Sequence, residues 1–292
     1  MIGLKLKGNL FLLAAAFIWG TTFVAQLVGM DELGPFGYCS ARYIIASVAI
    51  MAVWLAFKGQ RQKKIAAGAY IAGWKYGLGA GCIMLFATSM QQMALQYTSA
   101  GKTAFITCLY IMLVPLFAVF LKKKVYPENW AGAALAIGGL YCLCVKEALT
   151  LGYGDMLAIL NAVGWTFHIL YIDRFAAKAD IIELAAAQLM TCAVGSTILA
   201  LFFEDIVFSS IINSWFPIMY AGVMSSTIAF TLQIVGQKYS DPGPAAIIMS
   251  MESVFGALSG WVILGETMSS VEIIGCILMA AGMLVTQCKQ RN

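Results

Sequence analysis

The sequence predicts an all-α membrane protein of ten transmembrane helices, arranged as two inverted five-helix repeats. Three observations carry that expectation. First, 61% of the 292 residues are hydrophobic and 11% charged, with a mean hydropathy of +0.85, too apolar for an ordinary soluble domain. Second, apolar stretches recur along the whole chain at bilayer-crossing length. Third, the chain repeats itself: at a constant offset of 142, Gln91 falls on Gln233, Tyr97 on Tyr239, Gly101 on Gly243 and Ala104 on Ala246. A second register, offset by 146, lays Gly8 on Gly154 and Trp19 on Trp165. The halves are expected at 1–147 and 148–292, each a five-helix unit of the kind duplicated in transporters.

The expected spans are 8–29, 34–57, 72–95, 99–121, 128–146, 154–173, 181–203, 214–236, 243–263 and 271–288. Most have the roughly 20 residues needed to cross about 30 Å of hydrocarbon at about 1.5 Å per residue. A transmembrane barrel would show alternating segments of about 10 residues, and none is present. Lys5 and Lys7 precede the first span as they would in a signal peptide. That reading is rejected, because the run is longer than a usual signal core, no convincing small-residue cleavage site follows, and 154–173 supplies its counterpart deep inside the chain.

The connections are short and carry helix-ending chemistry. Met30-Asp31-Glu32-Leu33-Gly34-Pro35 separates the first two spans, and Ser240-Asp241-Pro242-Gly243-Pro244 opens the ninth with capping side chains and helix-compatible prolines. The longest connection, about 58–71, contains Lys58, Arg61, Lys63 and Lys64. It reads as a retained cytoplasmic loop, with an anionic lipid surface as the alternative partner.

Lys and Arg placement sets the expected orientation. With a cytoplasmic N-terminus, that side collects Lys5, Lys7, Lys58, Arg61, Lys63, Lys64, Lys122, Lys123, Lys124, Arg174, Lys178, Lys238, Lys289 and Arg291, while the outer loops keep only Lys146. Both termini then lie inside. An odd number of spans in the first half makes the second enter from the opposite face, so the repeats are inverted. The net charge of +4 follows from this bias and calls for no nucleic-acid partner. The partners expected are the lipid bilayer and a small-molecule substrate.

Helices two, four and nine each hold one charge inside the span, whereas helices five and ten hold charges only at the ends of their hydrophobic spans, at Glu128, Lys146 and Glu272. Gly132, Gly138 and Gly139 in helix five and Gly275 and Gly282 in helix ten permit close packing. That seam is equally compatible with contact inside a monomer and with a homodimer.

Glu252 is the leading candidate for chemistry. It lies about nine residues into a helix beginning near Gly243, close to the bilayer midplane at about 1.5 Å per residue. A central charge costs roughly 2.5 to 3.5 kcal/mol, so such a carboxylate faces a wet cavity, has a partner or carries a proton. It is a candidate proton-coupling group or counter-ion for an ammonium-bearing substrate; the plain alternative is a neutral Glu fixing helix nine by hydrogen bonds. The 142 offset sets Tyr110 opposite it. Thr103, Thr107 and Tyr110 recur at helical spacing on helix four, as Met249, Glu252, Ser253 and Gly256 do on helix nine. These are the two expected lining stripes, though a packing stripe would look similar.

Arg42, eight residues into helix two, and Lys102, at the start of helix four, belong to the outer half. Either could attract a substrate carboxylate; Arg42 could instead pair with Glu252, and Lys102 is expected to snorkel to the headgroups. Gln91 and its mate Gln233 suit substrate or a helix bridge, and Trp19 and Trp165 suit stacking walls or core packing. His168, the single histidine, is a second candidate for proton coupling, with a structural role the commoner reading. No metal-ligand spacing or phosphate-binding glycine loop occurs, so neither cofactor nor catalysis is expected and ATP is not the expected power source. The eight cysteines read as reduced packing residues.

Phe17-Ile18-Trp19-Gly20-Thr21-Thr22-Phe23, Ala41-Arg42-Tyr43, Glu252-Ser253-Val254-Phe255-Gly256-Ala257-Leu258 and Leu264-Gly265-Glu266 together resemble the drug/metabolite transporter superfamily, in its ten-helix EamA-type branch. The resemblance covers nearly the whole chain. It implies a multi-pass cell-membrane protein with a central cavity lined by helices one to four and six to nine, helices five and ten being peripheral. It further implies secondary transport of small organic metabolites by alternating access. Export of amino acids or related compounds leads; uptake or facilitated passage of sugars, nucleosides or drug-like cations is the rival, and a channel or sensor the remoter one.

Overall fold

The computed structural model describes residues 2–30, 33–98, 100–144, 151–205, 208–264 and 267–287, and every regular element among them is helical. The first half contains α1 (Ile2–Met30), α2 (Pro35–Ala56), α3 (Lys58–Ala66), α4 (Trp74–Ala94), α5 (Ala100–Thr107), α6 (Tyr110–Phe120) and α7 (Pro127–Cys144). The second contains α8 (Tyr153–Phe175), α9 (Ile181–Phe203), α10 (Phe208–Asn213), α11 (Trp215–Tyr220), a π-helical stretch Ala221–Ala229, α12 (Phe230–Gln237), α13 (Pro242–Met249), α14 (Glu252–Leu264) and α15 (Ser270–Gln287). Seven helical stretches among the described residues are long and apolar enough to cross a membrane by length and composition: Pro35–Ala56, Lys102–Phe120, Tyr153–Phe175, Ile181–Phe203, Trp215–Gln237, Pro242–Ile263 and Ser270–Gln287. Asp31, Glu32, Lys146, Gly265, Glu266, Lys289, Arg291 and the expected boundary at 147/148 lie outside the described residues.

Helix starts are set by the chemistry that satisfies their free N–H groups. Pro35 opens α2, and the Phe36 and Gly37 N–H groups donate to the Glu204 carboxylate at 2.8 and 2.7 Å, so a distant acid does the work of a local cap. Asp180 caps α9, accepting from Ile182 N and Glu183 N at 3.2 and 3.3 Å. Pro242 opens α13 behind Asp241.

Two expected continuous spans are broken. The stretch 100–120 divides at Cys108–Leu109, and 242–264 divides at Ser250–Met251. The backbone tightens at each point from i−4 to i−3 bonding: Leu109 N donates to Ile106 O and Ile111 N to Cys108 O, while Met251 N donates to Ile248 O and Ser253 N to Ser250 O. Adding the offset of 142 to Cys108 gives Ser250, so the two breaks fall at matching positions. A third departure is the π-helical stretch inside 215–237, where Thr227 Oγ1 donates to Gly222 O five residues back at 3.0 Å. Periodic apolar patterning does not register a one-residue change in turn pitch, which is why these irregularities escape a hydropathy reading.

Packing forms two large cores beside two small clusters. One joins Leu12 and Ala16 of α1 with Ile111 and Val114 of α6, Ala136 and Leu140 of α7 and Ala246 to Met249 of α13. The other joins Tyr43 and Ala46 of α2, Met84 of α4, Ile172 of α8, Leu184 and Leu189 of α9 and Phe230 and Ile234 of α12. Trp19 and Trp165 pack against both. The glycine seam lies within the chain, α7 against α15: a methyl group at Gly139 would meet Gly275 O at 2.5 Å, and one at Gly282 would meet Gly132 O at 2.6 Å. Only glycine allows the two backbones that close.

Candidate functional site

A cavity of about 670 Å³, part of it open to solvent, lies between the two cores. Its wall is built from Trp19 of α1, Arg42 of α2, Thr88 and Gln91 of α4, Thr107 of α5, Tyr110 of α6, Trp165 and Ile169 of α8, Ser225 of the π-helical stretch, Phe230 and Gln233 of α12, Met249 of α13 and Glu252 of α14. Neither α7 nor α15 contributes a lining residue, and nor does α9. Thr107, Tyr110, Met249 and Glu252 flank the two helix breaks, so both breaks open onto the cavity.

Glu252 is the first residue of α14, and no hydrogen bond or ion pair links its carboxylate to another described residue. Gly20 fixes its backbone: a methyl group there would meet Glu252 O at 2.7 Å and Gly256 N at 2.8 Å, so α1 and α14 touch main chain to main chain. That contact also places the neighbouring Trp19 on the cavity wall. Arg42 is 5% exposed. Its Nη2 donates to the Tyr43 hydroxyl at 2.8 Å, its guanidinium lies 4.6 Å from the Tyr43 ring centre and 5.8 Å from that of Tyr38, and its Nε has no partner. The anticipated pairing of Arg42 with Glu252 is not formed: no ion pair joins them, and the guanidinium is held on aromatic faces instead.

Aromatic rings form one wall. Phe230 lies 5.1 Å from Trp19 and 5.9 Å from Trp165, nearly parallel to the latter at 15°. Trp19 Nε1 donates to Ser225 O at 3.3 Å, which ties α1 to the π-helical stretch. Gln233 Nε2 donates to Gln237 Oε1 at 3.1 Å, and Gln237 Nε2 to Ile169 O at 3.0 Å, so this amide pair bridges α12 to α8. The Oε1 of Gln233 and the Oγ1 of Thr107 are buried without partners.

Three expected site residues lie off the cavity wall. Thr103 is buried one turn beyond Thr107, its hydroxyl without a partner. Ser253 is turned by one helical step from Glu252 and faces Cys108, its Oγ 3.7 Å from the thiol sulfur, so it joins the two breaks behind the cavity. His168 is fully buried behind Trp165, 5.4 Å between ring centres, with Nε2 3.3 Å from Gln188 Oε1. Thr88, Ile169, Ser225 and Phe230 were not anticipated. Thr88 and Phe230 lie three residues before Gln91 and Gln233, and Ile169 four after Trp165, so extending the helical stripes would have found them; Ser225, on π-helical backbone, had no such signal.

Five cations outside the cavity meet acids among the described residues. Lys102, expected to snorkel, forms an ion pair of 2.7 Å with Asp155, which also accepts from Thr98 Oγ1 at 3.1 Å and Gly152 N at 2.7 Å. A buried carboxylate with three donors is a stronger attractor than a distant headgroup. Lys123 pairs with Asp173, and Lys5 with Asp241 at 3.4 Å. The loop after α2 folds as α3, and two of its cations find acids: Lys64 meets Asp180 at 3.1 Å at the surface, and Arg61 lies 4.0 Å over Trp54 and 3.8 Å from Glu183. Glu183 further accepts from the Tyr70 hydroxyl at 2.7 Å, Gly73 N at 3.0 Å and Trp54 Nε1 at 3.2 Å. Burial, then the bond to Glu183, pushes the Tyr70 phenol up to about 12. Among the described residues no three His, Cys, Asp or Glu side chains gather as a metal site.

The EamA-like transporter family matches this chain twice, at residues 6–145 and again at 152–287. The chain belongs to the EamA-like transporter family. It is thus a membrane transporter of the drug/metabolite transporter superfamily. Relatives extend over almost all of it. An uncharacterized transporter of Archaeoglobus fulgidus is 24% identical, covering 98% of this chain and 87% of its own. The uncharacterized transporter YoaV of Bacillus subtilis is 21% identical over 96% of both chains. The uncharacterized inner membrane transporter YedA of Escherichia coli K12 is 23% identical, covering 97% of this chain and 91% of its own. A solved crystal structure superimposes with a TM-score of 0.81 at 21% identity, covering 97% of each chain, which establishes the shared fold.

Proposed function

We propose that this EamA-family transporter is a secondary carrier of small carboxylate-bearing metabolites, amino acids or related compounds, and that it exports them by alternating access around the cavity. The observation that carries the reading is that Arg42 and Glu252 line one cavity and neither is ion-paired with any described residue. A guanidinium buried within a membrane protein without an acid is costly unless a ligand supplies the anion. Trp19, Phe230 and Trp165 then offer an apolar wall to the rest of the substrate, with Gln91 and Thr107 beside it as polar contacts. Glu252 is the coupling group, exchanging a cation, the proton foremost, as the cavity changes sides. His168, walled off by Trp165, is given a structural role.

The machine that moves is, on this reading, ten spans in two inverted halves. The first is α1, α2, α4, α5–α6 and α7; the second is α8, α9, α11–α12, α13–α14 and α15. Two observations support it: the family matches once in each half, and the helix breaks coincide at the 142-residue offset. Export and a cytoplasmic location of both termini follow from the family resemblance and the Lys and Arg bias. The transporter is tested in sealed proteoliposomes loaded with a pooled library of amino acids, nucleosides, sugars and drug-like cations, with losses followed by mass spectrometry under proton gradients of both signs. Selective, saturable loss of amino or other carboxylic acids, with counterflow, is expected. Loss confined to compounds lacking a carboxylate would overturn the assignment.

A further inference from the structure

The two breaks leave behind a set of oxygen atoms that the proposed carrier function has not used. In an unbroken helix the carbonyl of Thr107 would accept from Ile111 N, and that of Met249 from Ser253 N. Here Ile111 N donates to Cys108 O at 2.9 Å and Ser253 N to Ser250 O at 3.1 Å. These i−3 bonds divert donors from the carbonyls of Phe105, Thr107, Cys108, Ile247 and Met249, and of these residues Thr107 and Met249 line the cavity. Beside them is a side-chain oxygen in the same position: Thr107 is 5% exposed, and its hydroxyl is buried with no hydrogen-bond partner. Glu252, on the same cavity wall, completes the set with its carboxylate.

We infer that the junction of the two breaks is a binding site for one desolvated monovalent cation, ligated by the Glu252 carboxylate, the Thr107 hydroxyl and the main-chain carbonyls of Thr107 and Met249. The inference rests on Glu252 being the coupling group and extends it from the proton to a coordinated ion. Carbonyl, hydroxyl and carboxylate oxygens are hard donors that suit such an ion. Charge selects the valence. One carboxylate neutralises a monovalent ion, whereas a divalent ion would leave a net positive charge in a cavity that already contains Arg42. Sodium and the primary ammonium of a substrate share this chemistry.

Thermal unfolding of the purified full-length transporter separates the two sources, with sodium chloride, methylammonium chloride and choline chloride compared at equal ionic strength. A ligand at ten times its dissociation constant raises the midpoint by about 3 °C over choline. Such a rise with sodium identifies an inorganic ion, and one with methylammonium alone identifies the amine; both support the site. In either case E252Q should abolish the shift and the isosteric T107V should at least halve it. No shift over choline in wild type, or an undiminished shift in T107V, overturns the site whether or not E252Q folds. Flux measured on the same preparation keeps the proposals apart: flux without a cation shift sinks the site alone, and a cation shift without flux sinks the carrier assignment alone.

Discussion

The helix pairs α5–α6 and α13–α14 break at matching positions and tighten by the same i−3 bonding, yet they present different chemistry to the cavity. The first offers Thr107 and Tyr110, the second Met249 and Glu252. Shared backbone geometry thus comes with unshared side chains. The break is an architectural device that diverts main-chain donors on both sides, while charge has been placed on one side only. A site with a carboxylate on both sides would carry two neighbouring anions in a low-dielectric cavity, each disfavouring the ionisation of the other.

The sharpest way to break this comparison is to remove the charge. E252Q is expected to lower carrier flux in proteoliposomes by about 10- to 100-fold, the worth of a buried charge-assisted bond, and to leave the residue unresponsive to an imposed proton gradient; flux with unaltered pH dependence would take Glu252 out of the coupling role. The anion-binding wall comes next. R42Q should cost about 10-fold in flux of carboxylate-bearing compounds, read as a raised half-saturation concentration, while R42K recovers only part because an ammonium lacks the planar fork. At the mate of Glu252, Y110F should change flux by no more than about threefold, the worth of one neutral hydrogen bond. An effect as large as that of E252Q would erase the asymmetry between the halves.

Two changes away from the cavity serve as contrasts. G139V should destabilise the α7–α15 seam by about 1 to 3 kcal/mol through overpacking, measured by thermal unfolding, with flux per folded molecule unchanged. The Tyr70 phenol is raised from the ordinary value of 10 to about 12, so its contribution is fully present below pH 10 and is lost as pH rises through about 12. Unfolding midpoints measured from pH 8 to 11.5 should therefore fall more steeply in wild type than in Y70F.

Much of the cavity was legible because helical spacing projects residues onto one face. Trp19 and Trp165, Gln91, Thr107 and Tyr110, and Met249 and Glu252 were all reached from repeat register or stripe, and all line it. Thr103 and Ser253 were drawn on the same stripes and lie off it, since a stripe does not say where along a helix the cavity ends, and a single step around the axis is enough to turn Ser253 toward Cys108. Lys102 departs from expectation for another reason. Its partner Asp155 is 53 residues away, and a snorkelling lysine and a paired one look alike in sequence.

The amino-acid sequence alone determined the solvent, the helical class and the internal repetition, because hydrophobicity, length and periodicity are properties of single segments and add along the chain. Tertiary structure alone decided that the fourth and ninth expected spans are broken, that Arg42 rests on Tyr38 and Tyr43 rather than meeting Glu252, and that the glycine seam closes within one chain. Each of those outcomes depends on which surfaces meet across a distance of many residues. Ion pairing, close backbone approach and a diverted hydrogen bond are properties of two segments at once, and no single segment records its partner.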